Sequence, residues 1–221
     1  MNVFARLVGV ITSPKATFEN VIAHPKALGI LVVICLISAV TLGWFFSTQI
    51  GRDAWLNSMI ERGGAQMTDQ QIAAMEKMAP WVGYFAIGQA VIGVPIFMVL
   101  IAGLLYAIFN AAMGGTATFK QVFAVVVHSW VIPAVSQLFT LPLAYAKGEL
   151  KSSTSLGVLL PMIDDATFLG KFLGAIDFFL IWALVVLAIG LGVLYRRKTQ
   201  SIATILFVIY GVIALAIASF T

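Results

Sequence analysis

Charge is what this sequence has least of. Only 10% of its 221 residues are Asp, Glu, Lys or Arg, against 61% hydrophobic, and the mean hydropathy is +1.03. A water-soluble domain carries about a quarter charged residues, and so few could not cover the surface of a soluble fold this size. Cysteine is nearly absent. The single Cys35 lies within an apolar run, which excludes a disulfide framework or a thiolate metal site within one chain and leaves it a small packing residue. The two histidines, His24 and His128, fall in different elements. There is no glycine-rich phosphate loop with its lysine, no H-E-x-x-H and no G-x-S-x-G. Asp164-Asp165 reads as a solvated loop end, short of the oxygen ligands a divalent cation needs. These absences predict a protein without enzymatic chemistry, metal or cofactor.

What is there is uninterrupted apolar sequence. The uncharged runs are 25 residues between Lys26 and Arg52, 42 between Lys77 and Lys120, and 26 between Lys120 and Lys147. Another 18 lie between Asp177 and Arg196, and 23 follow Lys198. Stretches of about 18 or more can cross a hydrocarbon core about 30 Å thick. The fold class is therefore an all-α, five-transmembrane-helix bundle, with spans at about 27–46, 81–109, 121–145, 172–194 and 201–220. The second span enters after Pro80 and exceeds what a bilayer needs, so tilt, a kink at Pro95 or protrusion must absorb the excess. A split into two short spans would need a turn near Val94-Pro95-Ile96, where only a proline signals one. The stretch 156–163 is too short to cross and carries Pro161, which reads as a loop or interfacial segment.

Five spans put the termini on opposite sides. On the N-terminal side lie Arg6, Lys15, Lys26, Lys120, Arg196, Arg197 and Lys198 against one acid, Glu19. Six basic residues and seven acids are spread over longer loops on the other side. Basic density near helix ends, above all in the Arg196-Arg197-Lys198 turn, predicts a cytoplasmic N-terminus and an outside C-terminus. The chain start lacks the features of a cleaved signal, so Met1 is expected to remain.

Residues 1–26 read as cytoplasmic interfacial amphipathic helices, and 27–221 as one membrane domain. Val3, Phe4, Leu7, Val8 and Ile11 share a helical face suited to lying on a membrane. A second helix starts at Ser13-Pro14, cap then first-turn proline, with Phe18, Val21 and Ile22 on its apolar side. Thr68-Asp-Gln-Gln71 and Thr118-Phe-Lys-Gln121 are capping boxes, the second following a helix break at Gly114-Gly115.

Within the spans, Ser129, Pro133, Ser136, Gln137 and Thr140 form one stripe on span three, bordered by His128. Polar groups facing lipid are costly, so the stripe needs partners. Counted from the outer ends, Gln137 and Gln89 lie at matching depths, and Asp177, the one acid inside a span, lies near Thr140; His128 is too deep to pair with it. The cluster Gln89, Ser129, Ser136, Gln137, Thr140 and Asp177 is read as interhelical hydrogen-bonded glue, with a proton or solute pathway as the alternative. Gly170-x-x-x-Gly174 and Ala188-x-x-x-Gly192 are weak close-packing signals between helices.

Several stretches in order resemble the Yip1-domain family. They are Ser13-Pro14-Lys15-Ala16-Thr17-Phe18-Glu19 with His24-Pro25, Met113-Gly114-Gly115-Thr116-Ala117-Thr118-Phe119-Lys120-Gln121, Trp130-Val131-Ile132-Pro133, and Ile176-Asp177-Phe178-Phe179-Leu180-Ile181-Trp182 running on to Gly190-Leu191-Gly192. In this resemblance Gly114, Gly115, Thr118 and Gln121 form a cytoplasmic turn motif. The resemblance implies a non-enzymatic membrane protein. Eukaryotic members act in endoplasmic reticulum–Golgi traffic and associate with Rab-type GTPases. The short N-terminal region and larger external loop look more like the bacterial branch, in a cytoplasmic (inner) membrane. The expected partners are the lipid bilayer and other membrane proteins or a second copy, not nucleic acid. The expected function is a membrane organiser or scaffold, with a small-solute transporter or channel as the alternative.

Overall fold

The computed structural model describes residues 1–63 and 67–220. It is helical, with no strand among the described residues, and five helical stretches are long and apolar enough to cross a membrane. These are Leu28–Ser47, Asp69–Ala112, Phe119–Lys147, Phe178–Tyr195 and Thr199–Ser219.

Two short helices come first, α1 (Val3–Thr12) and α2 (Pro14–Ala23). Asn2 caps α1 by accepting the Ala5 N–H. Pro14 occupies the first turn of α2 as expected, but the Ser13 side chain makes no cap. Its backbone carbonyl instead accepts the Thr17 hydroxyl at 3.0 Å. The faces of α1 separate cleanly: Arg6, Gly9 and Val10 are buried against the protein, while Val3, Phe4, Val8 and Ile11 stay exposed. On α2 the apolar side is turned inward. Phe18 and Val21 are fully enclosed in the core with Val125 of α8 (Phe119–Ser129) and Leu191 of α12 (Phe178–Tyr195), so α2 is a wedge of the core. Arg6 holds the arrangement, its guanidinium donating to the carbonyls of His24 and Lys26 and to Asn20 Oδ1. Burial without a carboxylate partner lowers its pKa from the usual arginine value.

After the first span, α3 (Leu28–Ser47), comes a polar helix, α4 (Gln49–Gly63). The Thr68–Gln71 capping box then opens α5 (Asp69–Met78), with both reciprocal bonds formed. The sequence pattern separates this helix from span two at Pro80; the structure joins them. Pro80 sits in a 3-10 turn, Ala79–Trp81, whose geometry tolerates the missing N–H, and the helix continues as α6 (Val82–Gly88). A π turn, Gln89–Gly93, widens the helix just ahead of Pro95 and accommodates its ring, α7 (Val94–Tyr106) follows, and a second π turn, Ala107–Ala112, ends the rod.

Span three is α8 followed by α9 (Val131–Lys147), joined at Trp130. Pro133 lies in the first turn of α9, where its ring would crowd the Ser129 carbonyl of an unbroken helix, and the joint relieves this. Span four is shorter than its hydropathy suggests. Residues 168–175 form a separate helix, α11 (Phe168–Ala175), preceded by the one-turn α10 (Leu156–Leu159) within the stretch read as loop. The chain is extended at Ile176 and Asp177, and only then does α12 begin. The last span is α13 (Thr199–Phe220). The main core lies among α2, α3, α7, α8 and α12, and a smaller cluster of Phe45, Ala54, Leu141 and Ala144 seals the other end.

Candidate functional site

The polar residues of span three divide into three environments. Ser129 is buried and returns its hydroxyl to Val125 O at 2.9 Å. Gln137 turns toward α3: its Nε2 donates to Ser38 Oγ at 3.2 Å. Thr41 Oγ1 lies 3.0 Å from Gln137 Oε1 and 2.7 Å from Ile37 O, sharing its one proton between them. Ser38 is 2% exposed and Gln137 is half-buried, so this interhelical bond lies against the protein interior. Ser136 and Thr140 donate to Pro133 O and Ser136 O of their own helix, which satisfies their protons and leaves the oxygens free to accept.

Pro133, Ser136 and Thr140 line a cleft of about 340 Å³ between α9, the start of α12 and the 150–153 segment. Trp130, Leu141, Ala144, Phe179 and Leu180 form its apolar walls; Lys151, Ser152, Ser153 and Asp177 supply the other polar groups. The Ser153 hydroxyl is enclosed without a hydrogen-bond partner among the described residues. Lys151 pairs with Asp165 at 3.2 Å, and that hydrogen bond pushes its ammonium pKa up; both side chains are more than half exposed.

Asp177 closes the cleft, and the structure corrects its place. It is not inside span four; it is the N-cap of α12. Its Oδ1 accepts the N–H groups of Phe179 and Leu180 at 2.9 and 3.1 Å. Its Oδ2 accepts the hydroxyls of Ser152 at 2.7 Å and Thr154 at 2.6 Å. A carboxylate has about four acceptor positions, and all four are taken. The backbone is bound as firmly. Ser155 and Asp177 form an antiparallel bridge through Leu156 N–H to Ile176 O and Phe178 N–H to Thr154 O. The Tyr210 hydroxyl on α13 accepts the Asp177 N–H and donates to Ala175 O. Ser152, Thr154 and Tyr210 were not singled out by sequence, because nothing local links them to a residue 23 or more positions away.

Gln89 is not brought to Gln137. Depth alone suggested the pair, but Ala90 is the residue of that turn packed inward, and Gln89 points outward, exposed. His128 is fully buried; its Nδ1 lies 2.7 Å from Ala124 O and its Nε2 has no partner among the described residues. The packing motifs also differ in use. Gly170 fits beneath its own loop, facing Asp164 and Asp165, and the Gly174 backbone faces Gly157 of α10, so neither joins two spans. Ala188 is in the core, and Gly192 lies close to Thr199, which lets α13 fold back on α12.

At the end of the molecule that carries α1 and α2, Thr118 and Gln121 form the capping box with both bonds in place. Gln121 Nε2 also reaches Ile22 O at 3.4 Å, tying α8 to α2. Gly114 has φ +69°, a left-handed conformation that favours glycine. A Cβ at Gly115 would sit 2.6 Å from Phe109 O and against the Tyr195 ring. Arg197 donates to Met113 O at 3.0 Å, so the two turns at this end are bound to each other. No group of three or more His, Cys, Asp or Glu residues able to hold a metal ion occurs among the described residues.

The Yip1 domain family matches residues 8–221. Membrane protein YknW of Bacillus subtilis (strain 168) is 30% identical over 216 residues, covering 95% of this chain and 88% of that protein. No solved structure matches. On the family match and this relative together, the chain is an integral membrane protein and belongs to the Yip1 domain family.

Proposed function

We propose that this protein is a non-enzymatic organiser or scaffold of a bacterial cytoplasmic membrane, acting through helix packing and partner proteins. The observation that carries the reading is the saturation of Asp177. The acid nearest the bilayer interior has all four acceptor positions committed to holding the protein together. Gln137 is likewise spent on α3. A proton- or ion-carrying group has to exchange partners, and these would have to break the fold's own bonds to do so. Much of the surface left over for contact is apolar. The face of α1 bearing Val3, Phe4, Val8 and Ile11 suits the membrane interface or a partner there. In this reading the N-terminus and the Arg196–Lys198 turn face the cytoplasm and the C-terminus lies outside.

Affinity purification from native membranes in mild detergent tests it. Specific membrane proteins should co-purify, and Phe4→Glu with Val8→Glu should release some of them without unfolding the chain. Repeated recovery of the protein alone would sink the reading. The second reading, a small-solute or ion pathway, draws on the cleft shared by Ser136, Thr140, Lys151 and Asp177. Flux in proteoliposomes that vanished in Asp177→Asn and Gln137→Leu variants would favour it.

A further inference from the structure

Gln89 is an anomaly of position. It lies five residues past Tyr84 and eight past Trp81, about 7.5 and 12 Å along the helix, deeper than the Trp81–Tyr84 ring pair. Rings of this kind mark the membrane–water boundary, which puts the Gln89 carboxamide within the hydrocarbon. The side chain is exposed and makes no hydrogen bond with any described residue. Lipid tails offer neither donors nor acceptors, so an amide facing them alone bears a desolvation cost. The surface around it is apolar, formed by Phe85, Ile92 and Ile96 one or two turns away.

What would cover this site must supply both a donor and an acceptor from a membrane-embedded surface. A carboxamide supplies both, so it is its own complement. In a two-fold contact the residue on the axis meets its own copy, which is the geometry two amides need to exchange reciprocal N–H···O bonds. We propose that two copies of this chain pair along the exposed face of α6 and the π turn that follows it, with the two Gln89 carboxamides hydrogen-bonded to each other across the axis. The inference rests on the organiser reading and names a second copy of this chain as one of the partners, with the surface that would carry it.

The test uses the full chain in liposomes containing no other protein, with Cys35→Ala to remove the native thiol. Ile92→Cys, one turn from Gln89, is expected to form a disulfide-linked dimer under mild oxidation, while Val212→Cys on exposed α13 is not. Adding Gln89→Leu should weaken the dimerisation constant, measured by fluorescence transfer on dilution into lipid, by roughly threefold to tenfold. The monomer's melting temperature should be unchanged, since Gln89 makes no internal bond. An Ile92→Cys protein that stays monomeric at every protein-to-lipid ratio overturns the pairing. So does equal cross-linking at Val212→Cys, an unaltered constant in Gln89→Leu, or a monomer that melts earlier. If the dimer is absent while native partners still co-purify, the pairing fails and the organiser reading stands.

Discussion

At the scale of single residues, the polar groups of the spans work as fasteners, and each fastener predicts its own cost of removal. Asp177→Ala takes away the cap of α12 and strands two N–H groups and two hydroxyls; thermal unfolding in detergent should show a loss of about 1–2 kcal/mol. Asp177→Asn should lose much less, because asparagine caps helices as well as aspartate does. Equal losses from both substitutions would mean that the charge, not the cap, matters. Gln137→Leu should cost about 1 kcal/mol by breaking the bond to α3 and leaving Ser38 buried without its partner. The sequence makes both residues conspicuous as polar exceptions in apolar runs. Their partners were not legible. Ser152 and Thr154 reach Asp177 beside a backbone bridge from Ser155 to Asp177, 22 positions along the chain, and hydropathy contains no trace of such a contact. Gln137 and Gln89 share a depth, yet depth says nothing about which way a side chain points around its helix.

At the scale of elements, local chemistry was the more reliable guide. Both threonine–glutamine capping boxes form as their spacing implies, because the bonds are made within one turn. Proline misled in opposite directions: Pro80 starts no new helix, whereas Pro133 is followed back to a real joint at Trp130. The difference lies in what surrounds each ring, a 3-10 turn that needs no N–H at Pro80 and, at Pro133, the first turn of an α-helix that begins afresh after the joint at Trp130. The Gly114–Gly115 turn gives the sharpest test at this scale. Gly114→Ala forces a side chain into left-handed backbone and should cost about 1 kcal/mol. Gly115→Ala instead drives a methyl group into Phe109 O and the Tyr195 ring, with an expected cost of about 1–3 kcal/mol. The two melting temperatures, measured side by side, separate backbone strain from crowding; no shift in either would mean that the turn can relax.

At the scale of the whole molecule, five crossings and the length of one helix together constrain how the protein sits in its membrane. The continuous helix Asp69–Ala112 has 44 residues, so it is about 66 Å long against a hydrocarbon core of about 30 Å. Tilt absorbs only a few ångströms, so part of the rod must stand clear of the bilayer. The end that does so carries Asp69, Glu76 and Lys77, charges that cannot rest in hydrocarbon, and the Trp81–Tyr84 pair sets the depth at which the rod enters. The opposite end of the bundle holds the Arg196-Arg197-Lys198 turn, bound to the Met113–Gly115 turn through Arg197. With Cys35→Ala as background, Glu76→Cys and Lys198→Cys, both at exposed positions, should therefore label from opposite sides. Basic residues cluster at the Lys198 end, so a membrane-impermeant maleimide added to intact cells should modify Glu76→Cys at once and Lys198→Cys only after permeabilisation. The reverse pattern would invert the molecule while preserving five crossings. Labelling of both from one side would contradict the crossings themselves, since an odd number of spans separates the two positions on the bundle's opposite faces.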